Sequence, residues 1–280
     1  MEASEPTTGV SSEAARPLKG RTVILTRPQG QQDELVAVLK GYGARVILLP
    51  TIAITAPSSW AVLDQAIDRL TDFDWLVFTS ANGVRFFFQR LNERQAIFPQ
   101  SGLATFAIGP ATAATLRNHK VQADLVAENS RAEGALAAFI KQVGGKDKLR
   151  GLRFLIPRAR RARDLLPKEL ARLGAQVEVA ETYQTIKPDL SAEGILRLVR
   201  AQPIDAITFT SSSTVANFAA LVGLSDLSQL LKGILIGCIG PVTARTARQY
   251  GLSDIVQPQT YTTSALADAL ADALARRKPD

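Results

Sequence analysis

Asp74-Trp75-Leu76-Val77-Phe78-Thr79-Ser80 and Asp205-Ala206-Ile207-Thr208-Phe209-Thr210-Ser211 are two versions of one segment, 131 positions apart. The same shift carries Ile108-Gly109-Pro110-Ala111-Thr112-Ala113 onto Ile239-Gly240-Pro241-Val242-Thr243-Ala244, and Gly43-Ala44-Arg45-Val46 onto Gly174-Ala175-Gln176-Val177. Gly20 maps onto Gly151 in the same register, so the chain is a gapless tandem duplication. Solenoid units run to roughly 20–50 residues, and this longer period predicts two similar domains.

Each quoted segment is a short apolar run that ends in hydroxyl residues. Runs of the same kind at 22–26, 45–49, 105–108 and 124–126 read as further strands. Helical spacing fills the intervals. Residues 31–42 place Leu35, Val38, Leu39 and Tyr42 on one face before Gly43, and 163–173 place Leu166, Leu170 and Leu173 before Gly174. An Ala/Leu-rich amphipathic helix over 263–277 closes the pattern. Regular alternation of strand and helix predicts parallel sheets covered on both faces, an α/β fold of three layers. Residues 50–57 and 182–188 break the alternation at equivalent places. Both are rich in Thr and Ile and end in proline, which reads as an extended connector. Two partitions satisfy this pattern: a contiguous split near Arg150, or a discontinuous domain of 20–52 plus 188–275 around a continuous 56–184.

The chain has 280 residues and is 46% hydrophobic, enough for a core in each domain. Residues 1–19, rich in Ser, Thr, Glu, Ala and Pro, are expected to be a disordered tail and not a signal peptide. No apolar run is long enough to span a membrane, and the single cysteine, Cys238, cannot form an internal disulfide. A cytoplasmic setting follows as the expectation. Lys and Arg outnumber Asp and Glu by 33 to 26. That modest surplus suits a small polyanion better than nucleic acid, because the densest basic cluster, 158–163, contains no aromatic for stacking. The lone histidine, His119, reads as a surface residue within a helix and gives little basis for a catalytic triad or a metal site. Cys238 reads as core. Neither a Gly-x-Gly-x-x-Gly run nor a phosphate-binding Gly-Lys-Ser/Thr loop is present, so the expectation is no metal and no cofactor.

Chemistry is expected where strands end and helices begin. Thr79, Ser80 and Asn82, together with Thr210, Ser211 and Ser212, open two helices. The turns from Gly109 to Thr112 and from Gly240 to Thr243 open two more. Helix N-termini present free N–H groups and partial positive charge, and in parallel sheets they share the carboxyl edge where ligands bind. Each hydroxyl can equally be a plain cap. Arg27 and Arg158 are duplicates, each placed just after the first strand of its copy, and they can meet carboxylates or be solvated. Tyr183, in the second connector, can brace the chain or donate a proton, although a phenol is a weak acid unless its setting helps.

The segments Ile24-Leu25-Thr26-Arg27-Pro28, Phe78-Thr79-Ser80, the paired Ile-Gly-Pro turns, Leu165-Leu166-Pro167-Lys168-Glu169-Leu170 before Gly174-Ala175, Thr182-Tyr183-Gln184-Thr185 and Phe209-Thr210-Ser211 occur in this order between Arg21 and Leu274. In that order and spacing the chain resembles the uroporphyrinogen-III synthase family. The resemblance implies two flavodoxin-like α/β domains joined by a two-stranded β connector, with a cleft between them. It favours the discontinuous partition, with connectors at 51–57 and 182–188. It also implies a reaction without metal or cofactor: hydroxymethylbilane, a linear tetrapyrrole with eight carboxylates, loses water and closes to uroporphyrinogen III with ring D inverted. An azafulvenium-type electrophile and a spirocyclic intermediate lie on that route, and the uncatalysed closure gives isomer I. By the same resemblance Tyr183 matches the tyrosine thought to assist departure of the hydroxyl, and Ser80, Thr112, Ser211 and Thr243 match hydroxyls at the cleft. Some relatives carry a lysine in the strand before the second Ile-Gly-Pro turn, but Leu235 to Ile239 holds none, so no lysine is assigned. A monomer is expected, with no membrane and no nucleic acid as partner, and with room for a transient hand-over from hydroxymethylbilane synthase. The rival expectation is a non-catalytic, synthase-like module that binds a tetrapyrrole or another small polyanion.

Overall fold

The structure, a computed structural model, describes residues 16–28, 33–129 and 131–277. In chain order it begins with β1 (Thr22–Leu25), α1 (Asp33–Gly41), β2 (Arg45–Leu48), β3 (Ala53–Thr55) and α2 (Ala61–Ile67). There follow β4 (Trp75–Phe78), α3 (Ala81–Glu93), β5 (Ala104–Ala107), α4 (Pro110–Asn118), β6 (Leu125–Val126) and α5 (Ala132–Val143). The chain continues with β7 (Arg153–Ala159), α6 (Leu165–Arg172), β8 (Gln176–Ile186), α7 (Ala192–Ala201), β9 (Ala206–Phe209) and α8 (Ser212–Val222). It closes with β10 (Leu235–Cys238), α9 (Pro241–Gln249), β11 (Ile255–Val256) and α10 (Thr263–Ala275).

These elements fall into two compact units. One ends at Ala53 and resumes at Lys187, and the other is Ile54–Ile186. The sheet of the first runs β2-β1-β9-β10-β11, and that of the second β8-β7-β4-β5-β6, with β3 added outside β8. Every pairing within those two five-strand series is parallel. The 131-position shift turns β4, β5 and α3 into β9, β10 and α8, and β1 and β2 into β7 and β8. The two sheets are therefore one fold entered at different points, each built from both copies of the repeat. Even the backbone repeats: Gly43 and Gly174, which end α1 and α6, take φ of 89° and 87°, a left-handed region that glycine enters without a Cβ clash.

Period-two alternation sends the strands to two faces. In β4, Leu76 and Phe78 pack with Phe87, Phe88 and Leu116 of α3 and α4, while Trp75 and Val77 pack with Phe139 and Leu170 of α5 and α6. In β9, Ile207 and Phe209 face Phe218 and Ala247, whereas Ala206 faces Leu39 and Leu270. Each sheet is thus the middle layer of three.

Three expectations change. The proposed tail, residues 1–19, lies outside the described residues up to residue 15. Over 16–19 it fails, because Leu18 is fully buried beside Leu39 and its N–H donates to the Tyr42 carbonyl at 2.9 Å. His119 is not a free surface residue. It follows α4, half-buried, and stacks on Phe88 with ring centroids 4.5 Å apart. Arg158 lies inside β7 rather than after it.

Candidate active site

At the carboxyl edge of the second sheet, β4 ends at Phe78 and the chain turns through Thr79 into α3. Ser80 is the cap residue: its backbone is extended, and its Oγ accepts the Gly83 N–H at 3.0 Å. The Tyr183 hydroxyl lies 3.0 Å from the same Oγ. Its ring is 9% exposed and stacks on Phe86 of α3, centroids 5.7 Å apart and planes 18° from parallel.

A slip in strand pairing brings the phenol there. β8 pairs with β7 in step from Gln176 to Glu181, and then Ala159 pairs with Tyr183, leaving Thr182 as an extra residue. Strict alternation would aim Tyr183 to the side of Val177 and Val179, which pack with α5 and α6. The bulge turns it instead to the α3 side, an effect of one extra residue in a ladder. The Thr182 hydroxyl donates to the Arg158 carbonyl at 3.2 Å, and the Arg160 N–H donates to the Tyr183 carbonyl at 2.9 Å, which fixes the kink.

Thr79, Ile156, Arg158, Arg131 and Arg163 line a cavity of about 190 Å³ at this edge. Arg158 is already engaged: it donates to the Arg163 carbonyl at 3.0 Å and pairs with Asp164, whose carboxyl this hydrogen bond holds below the usual carboxylate range. It braces the approach to α6. Arg27 follows β1, half-buried, and burial pulls its guanidinium below the ordinary value against an opposing pull from Glu34. Asn82, in the first turn of α3, accepts from Arg85 at 3.3 Å.

At α4 the cap is Gly109, with Pro110 at the first helical position and Thr112 buried one turn in. Gly240, Pro241 and Thr243 repeat this at α9 of the first sheet. No hydrogen bond from either threonine hydroxyl is present among the described residues. The tyrosine ring of Tyr261 lies against Gly240, so close that a Cβ there would meet it at 3.2 Å, and Tyr261 is itself 64% exposed.

Ser211 repeats Ser80 as a cap and accepts the Thr214 N–H at 3.2 Å. Thr214 returns the bond by accepting the Ser211 N–H, a reciprocal capping box. The remaining contact of the Ser211 hydroxyl is Ser213, at 2.9 Å. Ser212 donates to the Val242 carbonyl at 3.3 Å, and Thr210 is half-buried before the cap. Gly83 stands where Thr214 stands in the other copy. A Cβ at Gly83 would come within 3.0 Å of the Pro157 carbonyl oxygen, so glycine lets α3 start close against β7.

Cys238 is buried, and burial pushes its thiol up to about 12, which removes it as a nucleophile. Among the described residues no group of three His, Cys, Asp or Glu converges as a metal site. No helix among them is long and apolar enough to cross a membrane. Phe86, Gly83 and Tyr261 are the additions the sequence reading lacked. Phe86 was detectable: the core face of α3 is Val84, Phe87, Phe88 and Leu91, which leaves Phe86 an aromatic without a core.

A model of the family described as uroporphyrinogen-III synthase HemD matches residues 33–268. The uroporphyrinogen-III synthase of Synechococcus elongatus is 34% identical over 257 residues, covering 90% of this chain and 95% of that protein. Among solved structures, a mutant uroporphyrinogen III synthase from Thermus thermophilus superposes with a TM-score of 0.55 at 18% identity, over 92% of this chain and all of the other. The uroporphyrinogen-III synthetase of Helicobacter pylori does so at 0.53 and 17%, with the same coverage. At such identities the solved structures bear on the fold alone.

Proposed function

We propose, because this chain belongs to the uroporphyrinogen-III synthase family, that it is a cofactor-free cyclising lyase that converts hydroxymethylbilane to uroporphyrinogen III with loss of water and inversion of ring D. The observation that carries the reading to particular residues is the Tyr183 phenol, buried at the rim of a carboxyl edge and within hydrogen-bond reach of a helix cap. In this reading Tyr183 gives its proton to the hydroxyl of the substrate's hydroxymethyl group as that hydroxyl departs as water. The electrophile so formed is attacked by the substituted carbon of ring D, and the spirocyclic product opens and recloses inverted. Because the unaided reaction closes to isomer I, the protein's main task is to hold one folded conformation of a floppy chain.

The substrate's carboxylates are met by N–H groups rather than by a fence of side-chain cations. The caps at Ser80, Gly109, Ser211 and Gly240 each open a helix of nine residues or more. Thr112 and Thr243 supply hydroxyls one turn in. Thr79, Asn82, Arg27, Arg158, Thr210 and Ser212 complete the polar surface of these turns. A monomer acting in the cytoplasm, and receiving its unstable substrate from the enzyme that makes it, fits this reading. The test is to mix the full chain with freshly prepared hydroxymethylbilane and separate the isomers by chromatography. Uroporphyrinogen III in excess over the spontaneous isomer I is expected. Isomer I alone would leave a tetrapyrrole-binding module in its place.

A further inference from the structure

We propose that Ser80 is a positioning residue for Tyr183: anchored by the Gly83 N–H, it gives its own proton to the Tyr183 oxygen and leaves the phenolic proton free for the departing hydroxyl. The inference rests on the synthase reading above and goes one residue deeper. A serine hydroxyl has one proton to give and two lone pairs to offer. At Ser80 one lone pair takes the Gly83 N–H at 3.0 Å, and the Tyr183 hydroxyl, also at 3.0 Å, is its other side-chain partner. Each hydroxyl has one proton, so whichever donates leaves the other's proton over; were Tyr183 the donor, the phenolic proton would be tied to Ser80. With Ser80 as donor, the proton left over is that of the phenol.

The local structure is arranged for this chain of bonds. Gly83 is the third residue of α3, and a Cβ there would lie 3.0 Å from the Pro157 carbonyl oxygen, so its missing side chain lets α3 close on β7. The bulge at Thr182 turns Tyr183 to the same side, and Phe86 stacks on the ring and fixes its plane. Hydrogen bonds in series polarise one another, and this series begins at the positive end of a helix. Capping alone does not require it: Ser211 caps α8 equally well while its hydroxyl contacts only Thr214 and Ser213.

Steady-state kinetics on the full chain with hydroxymethylbilane separate the roles. Ser80→Ala is expected to lower kcat about tenfold or more with KM within about twofold, and Ser80→Thr to restore it. Ser80→Asp is the decisive variant, because aspartate caps a helix as well as serine but can only accept a proton. It should keep the wild-type melting temperature and be as slow as Ser80→Ala. Adding Ser80→Ala to Tyr183→Phe should cost nothing further. Ser191→Ala, which removes the cap of α7, controls for lost stability and should leave kcat unchanged. Wild-type kcat in Ser80→Asp, or losses that multiply in the double variant, overturns the relay while isomer III from the wild type keeps the synthase reading. Isomer I alone from the wild type overturns both.

Discussion

At the start of α3 the cap serine reaches a phenol, whereas at the start of α8 the equivalent serine closes on its own helix. The strands before them and the cap residues themselves are alike, so the sheet does not account for the difference. Two positions do. Tyr183 has Ile52 in its place in the other copy, and Gly83 has Thr214. Thr214 completes a reciprocal cap and makes α8 self-sufficient. Glycine gives up that bond, and the space it leaves lets α3 lie against β7. Duplication supplied two similar edges, and the proposed chemistry lies at the one whose cap lacks the reciprocal bond.

The comparison breaks most directly at Tyr183. Tyr183→Phe should lower the rate of isomer III formation about 100-fold, the low end of what a positioned acid contributes, with circular dichroism and melting temperature unchanged. Wild-type turnover in that variant would remove the asymmetry as the source of chemistry. Gly83→Thr makes the second unit resemble the first. Its Cβ must displace the Pro157 carbonyl, so about 1–3 kcal/mol of stability and much of the rate should be lost, read by urea midpoint and isomer assay together. The reverse exchange, Thr214→Gly, removes the reciprocal bond and one side chain and should cost about 1 kcal/mol in the same urea experiment.

Smaller effects sharpen the contrast away from the edges. Lys120 takes φ of 61° where the other copy has Gly251 at 81°. Lys120→Gly relieves the left-handed strain and should raise stability by about 0.5–1 kcal/mol; a lower melting temperature would contradict this. His119 stands where the other copy has Tyr250. Burial, with a lesser contribution from Arg85, lowers its pKa in the folded chain, so the unfolded chain takes up the proton first as pH falls. Stability from this residue is therefore full above the ordinary histidine value of about 6.5 and declines as pH drops through it toward the lower folded value. His119→Tyr should flatten that slope in unfolding curves recorded across the range.

Much of this was legible in the sequence because the repeat is gapless. Asp74 to Ser80 and its copy located strand, turn and cap together, and the helix stops at Gly43 and Gly174 follow from glycine's conformational range. Thr112, Ser80, Ser211 and Thr243 were placed at helix starts by the same reasoning. What sequence could not supply is pairing across the chain. The partner of Ser80 lies 103 positions away, and it reaches Ser80 only because one residue of β8 is skipped by its neighbour. Alternation read from sequence would have sent Tyr183 to the wrong face. That Arg158 sits within β7 and is held by Asp164 and the Arg163 carbonyl is likewise a matter of the folded chain.

The way the two copies share their strands also sets a timetable. The second unit is one uninterrupted stretch, Ile54–Ile186, so a chain leaving the ribosome has all of it before the first unit is complete. β1 emerges first and waits for one of its two neighbours: it pairs with β9, and the bond from the Thr26 hydroxyl to the Thr208 carbonyl spans 182 positions. Contacts so distant in sequence close slowly. The middle of the polypeptide, which carries the phenol, is thus the part ready to fold first, and the earliest strand made is completed only by one from the other copy.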